Sequence, residues 1–122
     1  MSSFSDDMSD RFMFFVVNII KLEKQLCKTF SGRHIYGQLF RAGTSSGANY
    51  EEARAGESRA DFIHKMKIAA KEADETQYWL SLCEFGAAYP DCNNLQQKLE
   101  EIQRLLNAIL GSAKRKNPIS QF

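Results

Sequence analysis

Residues 38–52 read Gln-Leu-Phe-Arg-Ala-Gly-Thr-Ser-Ser-Gly-Ala-Asn-Tyr-Glu-Glu, and seven consecutive small residues, 42–48, lie in the middle of this otherwise helical pattern. Each glycine inside a helix costs about 1 kcal/mol relative to alanine. Gly43 and Gly47 therefore cost about 2 kcal/mol together, unless tight packing against a neighbour compensates. The stretch predicts a helix that another element approaches very closely.

Two stripes lie on this helix, which we predict over residues 33–55. The first stripe is the ordinary core face and consists of Ile35, Leu39, Ala42, Ser46 and Ala53. The second is a polar ladder formed by Gln38, Arg41, Ser45, Asn49 and Glu52. Two interpretations of the ladder stay open: a solvated face, or a buried hydrogen-bonded network that fixes helix register or oligomer geometry.

The next helix begins at a capping box, in which Ser58 is the cap and Asp61 replaces the usual glutamate. Its core seam is typical of a helix bundle and consists of Phe62, Met66, Ala69, Ala73, Thr76, Leu80 and Cys83. Because the small residues of the two helices match, we expect an antiparallel hairpin that turns at Gly56. Glu72 and Glu75 then come within reach of Arg41, and we expect Arg41 to be held between the helices as one partner of a buried ion pair.

Helix 1 is predicted to follow a frayed leader, residues 1–10, with Ser9 or Asp10 as its cap, and to run to about Thr29. Its inward stripe is Phe12, Phe15, Ile19, Leu22, Leu26 and Phe30. The first half of this helix is apolar on nearly every side, and such a helix is buried on every side. In a chain of 122 residues this pattern favours a contact between subunits.

Helix 4 is predicted to be capped by Asp91 or Asn93 and to end near Gly111, before a flexible end at residues 114–122. Its core stripe is Leu95, Leu99, Ile102, Leu106, Ile109 and Ala113. The chain is therefore predicted to be a single all-α domain, residues 1–122, folded as an up-down-up-down antiparallel four-helix bundle.

Composition limits the cellular setting. The most apolar run, residues 12–20, has nine residues with Asn18 among them, which is far short of the roughly 20 that a membrane-spanning helix needs. Three cysteines at unremarkable spacings and the lack of a secretory leader indicate a reducing cytoplasm. We predict a cytoplasmic protein with no membrane span.

Residues 37–53, followed by the segment 58–76, resemble the bacterial four-helix bundle proteins that are encoded in 23S rRNA intervening sequences. The resemblance covers about residues 12–110 and is strongest in the helix predicted over residues 33–55 and in the helix that Ser58 caps. It implies an up-down bundle that assembles as a homopentamer. It also implies a link to a relative, the accessory variability protein of diversity-generating retroelements, which binds nucleic acid and a reverse transcriptase.

The resemblance carries the signature polar positions of that family onto eight residues of this chain. We expect these residues to form a structural polar network: Gln38, Arg41, Ser45, Asn49, Glu52, Glu72, Glu75 and Thr76.

Metal catalysis in a four-helix bundle requires Glu-x-x-His motifs on two helices and further glutamates. This chain has one related motif, Asp61-x-x-His64, and one other histidine, His34. We therefore predict no metal site, no cofactor and no enzymatic activity.

Nucleic-acid binding is the alternative function. Net charge is only +1, but residues 33–71 carry seven basic and four acidic side chains. A basic rim repeated around an oligomer would add up phosphate contacts. Its candidate members are Arg33, Arg54, Arg59, Lys65, Lys67, Lys71, Lys114, Arg115 and Lys116. These residues would otherwise be ordinary solvated helix faces.

The interpretation that we favour is a non-enzymatic scaffold or interaction subunit that assembles with copies of itself and contacts a partner protein or nucleic acid. It rests on the excess of apolar surface on helix 1 and the small-residue face of helix 2, which a monomer of this size cannot fully bury.

Overall fold

The computed structural model describes residues 4–86 and 92–120, and side chains within residues 7–86 and 92–115. Its helices are α1 (Phe4–Ile20), α2 (Glu23–Leu26), α3 (Phe30–Arg54), α4 (Arg59–Phe85) and α5 (Asn93–Ser120). The described residues include no strand. The all-α fold class is therefore confirmed.

Four long helices form the bundle, and α2 is a single extra turn. The helix α3 packs on both α1 and α4, and α5 packs on both α4 and α1. The helices α1 and α4 thus lie on opposite corners of the bundle, with their outer faces pointing away from each other. The contact between α3 and α4 is the most extensive, as expected for an antiparallel hairpin.

The small residues of α3 allow both α1 and α4 to approach it closely. A Cβ atom on Gly43 would lie 2.8 Å from Cδ1 of Ile19, and one on Gly47 would lie 3.4 Å from the ring of Phe12. The two glycines therefore allow α1 to approach, so the close neighbours of α3 are α1 as well as α4. Ser46 contacts α4 instead, where its Oγ donates to the carbonyl oxygen of Ala69 at 2.7 Å.

Apolar side chains from all four long helices fill the core. Burying a leucine, isoleucine, phenylalanine or methionine side chain contributes about 1.5–3 kcal/mol. The largest apolar side chains with less than 2% of their surface exposed are Met8, Ile19, Leu26, Leu39, Met66, Leu80, Leu99, Ile102 and Leu106.

Helix 1 begins earlier than the sequence predicted. It starts at Phe4, and neither Ser9 nor Asp10 caps it. Met8 is fully buried, so the helix gains core contacts by extending into the predicted leader. An ion pair between Asp7 and Arg11, one helical turn apart at 2.8 Å, lies in the same segment.

Helix 1 also ends earlier than predicted, because the chain turns after Ile20 and forms α2 before α3 begins. Thr29 caps α3, and its Oγ1 accepts from the amide of Gly32 at 3.0 Å. A Cβ atom on Gly32 would lie 1.8 Å from the carbonyl oxygen of Leu26, so this close approach requires glycine. Phe30 therefore opens α3 with its side chain 81% exposed, and its predicted place in the core was wrong.

The later boundaries agree in part. Ser58 is confirmed as the cap of α4, and its Oγ accepts from the amide of Asp61 at 3.1 Å. Asn93 is the first residue of α5, and Asp91 lies outside the described residues. The helix α5 continues past Gly111 to Ser120. One glycine costs a helix only about 1 kcal/mol, and the alanine, lysine and arginine that follow are good helix formers, so Gly111 does not end it.

Candidate interaction surfaces

The polar ladder of α3 meets the carboxylates of α4 at Arg41. The Arg41 guanidinium contacts Glu72 at 3.2 Å, bonds to Glu75, and donates from Nε to Oε1 of Gln38 at 3.2 Å. The indole N–H of Trp79 donates to the same carboxylate of Glu75 at 3.0 Å. We call these five residues the Arg41 cluster.

Hydrogen bonds inside the Arg41 cluster favour the charged forms of its groups. The hydrogen bond from Trp79, followed by that from Arg41, lowers the pKa of Glu75 against the opposing effect of burial. The hydrogen bond to Glu75 raises the pKa of Arg41 above its usual value. The ion pair between Arg41 and Glu75 is therefore fully charged at neutral pH.

The Arg41 cluster lies at the edge of the bundle. The side chain of Arg41 is 47% exposed, and those of Glu72 and Glu75 are 21% and 37% exposed. Ion pairs in such exposed settings contribute about 0.2–1 kcal/mol, because water and salt screen them. Within one chain, the structure thus differs from the expectation of a buried pair: α3 and α4 bring the charges together but do not cover them.

The remainder of the ladder is separate from the Arg41 cluster. The side-chain amide of Asn49 donates to the carbonyl oxygen of Ser45 at 2.9 Å and to its Oγ at 3.3 Å. Nζ of Lys65 donates to Glu52 at 2.7 Å. The predicted polar network is thus divided into local groups along α3.

Two buried hydroxyl groups lie between α3 and α4. Ser46 bonds across the helix contact to the backbone of Ala69, whereas Thr76 bonds within α4 to the carbonyl oxygen of Glu72 at 2.7 Å. Thr76 was predicted to join the network, but its hydroxyl is satisfied by its own helix. The sequence analysis did not predict the hydrogen bond of Ser46. The position of a serine on an otherwise apolar stripe could have indicated it.

Lys65 and Arg54, which are predicted nucleic-acid contacts, have intramolecular partners that the structure identifies. Lys65 is paired with Glu52. Nη1 of Arg54 lies 2.7 Å from Oγ of Ser9 and 3.1 Å from a carboxylate oxygen of Glu51. A phosphate would have to displace these partners, so both residues are weaker candidates.

The N-terminal half of α4 carries a basic surface. Arg59, His64 and Lys67 line a shallow depression of about 320 Å³, and we call them the α4 basic face. The side chain of Lys116 lies outside the described residues. The remaining candidates are also exposed: Arg33, Lys71, Lys114 and Arg115.

The outer side of α1 is an exposed apolar surface. Met13 and Phe14 are 68% and 70% exposed, and Val17 and Ile20 are also exposed. We call these four residues the α1 apolar face. They occupy consecutive turns of one helix, and a contiguous exposed apolar patch of this kind marks an interaction site.

A groove continues this surface onto α3. Its cavity of about 260 Å³ lies between Met13 and Val16 of α1 and the small residues Thr44, Gly47 and Ala48 of α3. The small residues leave room for a side chain of another molecule beside the α1 apolar face.

A second apolar surface lies on the C-terminal half of α4. Tyr78, Leu82 and Phe85 are exposed at spacings of four and three, and we call them the α4 apolar face. This face and the α1 apolar face lie on opposite corners of the bundle, because their helices do.

The described residues form neither a metal-binding group nor a membrane-spanning helix. No group of three or more histidine, cysteine, aspartate or glutamate side chains in residues 7–86 and 92–115 could hold a metal ion. Among the helices of the described ranges, none is both long and apolar enough to cross a membrane.

Comparison with known proteins agrees with this architecture. A family model described as 23S rRNA-intervening sequence protein matches residues 7–108. The chain is also similar to a crystal structure of a protein with unknown function from the S23 ribosomal protein family of Bacteroides thetaiotaomicron. That match has 37% sequence identity and a TM-score of 0.80, and covers 88% of this chain and 97% of that chain. No curated protein matches.

Proposed function

Because the chain belongs to the 23S rRNA-intervening sequence protein family, we propose that it is a non-enzymatic scaffold subunit that assembles with copies of itself into a ring. The observation that carries this proposal is the α1 apolar face, which one chain leaves open to water. The number of subunits is five, as the family resemblance implies.

The geometry of the bundle favours a head-to-tail contact. The α1 and α4 apolar faces lie on opposite corners, so the α1 face of one copy can pack against the α4 face of the next. A contact between two different surfaces is heterologous, and it generates a ring when the rotation between subunits closes. A contact of the α1 face with itself would give a dimer and would leave the α4 face exposed.

Shape supports the same pairing. The groove beside Met13 and Val16 is bordered by small residues of α3, and it has room for an aromatic side chain. Tyr78 and Phe85 of a second copy have the size and exposure to enter it. Large apolar side chains that fill complementary pockets dominate the energetics of such contacts.

The proposal is tested with two matched variants, Phe14→Lys on the α1 apolar face and Phe85→Lys on the α4 apolar face. Both phenylalanines are exposed, so neither change disturbs the core. Light scattering of the wild type should give five times the 13.9 kDa mass of one chain. Each variant alone should be a monomer, whereas Asn107→Lys, an exposed change on α5, should stay assembled.

An equimolar mixture of the two variants decides the type of contact. In a heterologous ring, the Phe14→Lys variant keeps an intact α4 apolar face and the Phe85→Lys variant keeps an intact α1 apolar face. These two intact faces can form one contact, so the mixture should form a dimer. If Phe85→Lys alone still assembles, the contact is isologous and the head-to-tail ring is wrong. A monomeric wild type at micromolar concentration would overturn self-assembly itself.

The cytoplasm is the compartment that we propose for this assembly. The three cysteines, Cys27, Cys83 and Cys92, are free thiols, as is usual where the environment is reducing.

Nucleic-acid binding is the second candidate function, and the α4 basic face supports it. Arg59, His64 and Lys67 surround one depression, and a ring would repeat this surface in every subunit. Weak phosphate contacts that are repeated in one particle add up. Fluorescence anisotropy with an RNA oligonucleotide should show binding that weakens as salt rises, because bound counterions are released.

Lys67→Ala should weaken this RNA binding and flatten its salt dependence. Lys98→Ala, a matched change on the exposed surface of α5, should not. Equal RNA affinities for the two variants would show that the α4 basic face does not bind RNA.

A further inference from the structure

A groove of about 530 Å³ lies between the first turns of α4 and the C-terminal part of α5. Its walls are Phe62 of α4 and Leu105 and Ile109 of α5, which are partly buried and packed against the core. Ala108 and Ser112 also line it, and both are exposed. We call these five residues the α4–α5 groove. It has firm apolar walls, and its small residues keep it open to solvent.

The α4–α5 groove is far from the surfaces that we assign to the ring. Phe62 and Phe85 both lie on α4, and the 23 residues of helix between them span about 35 Å. The lining of the groove comes from α4 and α5, whereas the α1 apolar face points away from α4. A ring built on the two apolar faces would therefore leave the groove accessible.

Basic side chains predominate along both sides of the groove. Arg59 lines its α4 side, and residues 102–115 of α5 carry three basic and no acidic side chains. Nη1 of Arg115 comes within 3.2 Å of the place where a Cβ atom on Gly111 would lie, so its guanidinium runs back along α5 toward the groove. Asp61 is the acidic side chain in the first turn of α4, and the basic residues outnumber it. A ligand that complements this charge is acidic.

We propose that the α4–α5 groove binds an acidic amphipathic helix of a partner protein. Such a helix carries apolar side chains at i, i+3, i+4 and i+7 and lays them into an apolar groove. The stretch of α5 from Leu105 to Ser112 rises by about 10 Å, which matches two turns of a bound helix. Ala108 and Ser112 lie one turn apart, and small residues at this spacing let a second helix approach closely.

The open shape of the groove favours a helix over a lipid chain. A small-molecule site covers most of its ligand, whereas the exposed Ala108 and Ser112 leave one side of a ligand uncovered. The acidic flanks of a helix would reach Arg59 and Arg115 while its apolar side chains contact Phe62. This surface adds a partner to the proposed scaffold function, and it rests on that function only in that the ring contacts lie elsewhere.

The test measures the fluorescence anisotropy of a labelled model peptide that is titrated with the full chain. The peptide has about 18 residues, enough to be helical in water, with leucine at i, i+3, i+4 and i+7 and glutamate beside this stripe. It should bind saturably, and rising salt should weaken the binding because the charges are screened. A scrambled peptide of the same composition, and a peptide with lysine in place of glutamate, should each bind about ten-fold more weakly or less.

Two neighbouring substitutions on α5 locate the binding. Ala108→Glu puts a carboxylate into the groove and should weaken binding of the acidic peptide by about ten-fold or more, because the contact would bury this charge beside like charges. Asn107→Glu is the matched control, since it adds the same side chain at an exposed residue outside the groove lining. It should bind the peptide as the wild type does. The Phe14→Lys variant should also bind as the wild type does, so a failure of the ring and a failure of the groove give different results.

Four results would overturn the proposal: no binding of the acidic peptide, equal binding of the acidic and scrambled peptides, equal binding by Ala108→Glu and Asn107→Glu, or binding of phosphatidylglycerol vesicles in place of the peptide. Light scattering adds a fifth. If Ala108→Glu lowers the assembled mass and Asn107→Glu does not, a second copy of the chain occupies the groove, and the partner helix is wrong.

Discussion

The helix α3 contacts its two neighbours in different ways. Toward α1 it presents Gly43 and Gly47, where an added Cβ would come within 2.8 and 3.4 Å of side chains of α1. Toward the outer edge of α4 it presents Arg41, whose ion pairs remain half exposed. The contact with α1 depends on close packing of apolar atoms. The contact at the edge of α4 depends on ion pairs that remain accessible to water. The glycines and Arg41 are the most distinctive residues of α3 in the sequence. They therefore differ widely in what they contribute to the stability of the fold.

This comparison predicts that Gly43→Val lowers the stability of the fold more than the other substitutions discussed below. Its Cβ would meet Cδ1 of Ile19 at 2.8 Å, and valine adds two methyl groups beyond that. Overpacking of this kind costs about 1–3 kcal/mol, and Ile19, whose Cδ1 would have to move, is itself fully buried. Thermal denaturation should show a Tm lower by about 10 °C.

Gly37→Val is the matched control on the same helix, since no atom lies within 4 Å of its added Cβ. It should leave the Tm unchanged or slightly raised. Equal melting temperatures for the two variants would show that α1 does not approach α3 as closely as the structure indicates.

Ser46→Ala should have an intermediate effect, because Ser46 lies between the two kinds of contact. Its buried hydroxyl bonds to the backbone of Ala69 at 2.7 Å, and a hydrogen bond of this type contributes about 1 kcal/mol. Chemical denaturation should show that loss. Ser45→Ala is the control, because its Oγ only accepts a long bond of 3.3 Å from Asn49, and it should change stability very little.

The steric features were the ones that the sequence predicted. The small residues of α3 and the capping box at Ser58 specify local geometry, and the helix pattern alone reveals them. Phe30 and Met8 were misplaced because helical spacing cannot show where a chain leaves one helix and enters the next. The exposure of Arg41 could not be predicted either, since periodicity gives the direction of a side chain but not how far a neighbour covers it.

Arg41→Ala should destabilise the single chain less than Ser46→Ala does. Removing one partner of a buried ion pair would instead cost about 3–5 kcal/mol of stability. In the monomeric Phe14→Lys background, we expect a loss of well under 1 kcal/mol, because the ion pairs are screened. Denaturation at low and high salt should show that the loss shrinks as salt rises.

The same substitution in the assembled wild type tests what covers the Arg41 cluster. If the loss of stability is several-fold larger there than in the monomer, the subunit contact buries the cluster. If the two losses agree, the cluster is a surface feature of the ring as well.

The smallest expected effect is on the titration of Glu75. Because its pKa is lowered in the folded state, its contribution to stability is present above the pKa of the unfolded chain, about 4.3, and is lost as the pH falls through the lower folded value. That contribution should be only a few tenths of a kcal/mol, since Glu75 is partly exposed. Carboxyl NMR shifts should show a raised pKa of Glu75 in both Trp79→Phe and Arg41→Ala, because each change removes a hydrogen bond that lowers this pKa. Arg104→Ala, on α5, should leave the titration of Glu75 unchanged. If neither Trp79→Phe nor Arg41→Ala moves it, the Arg41 cluster is not formed in solution, and the edge of α4 is held by its core side chains alone.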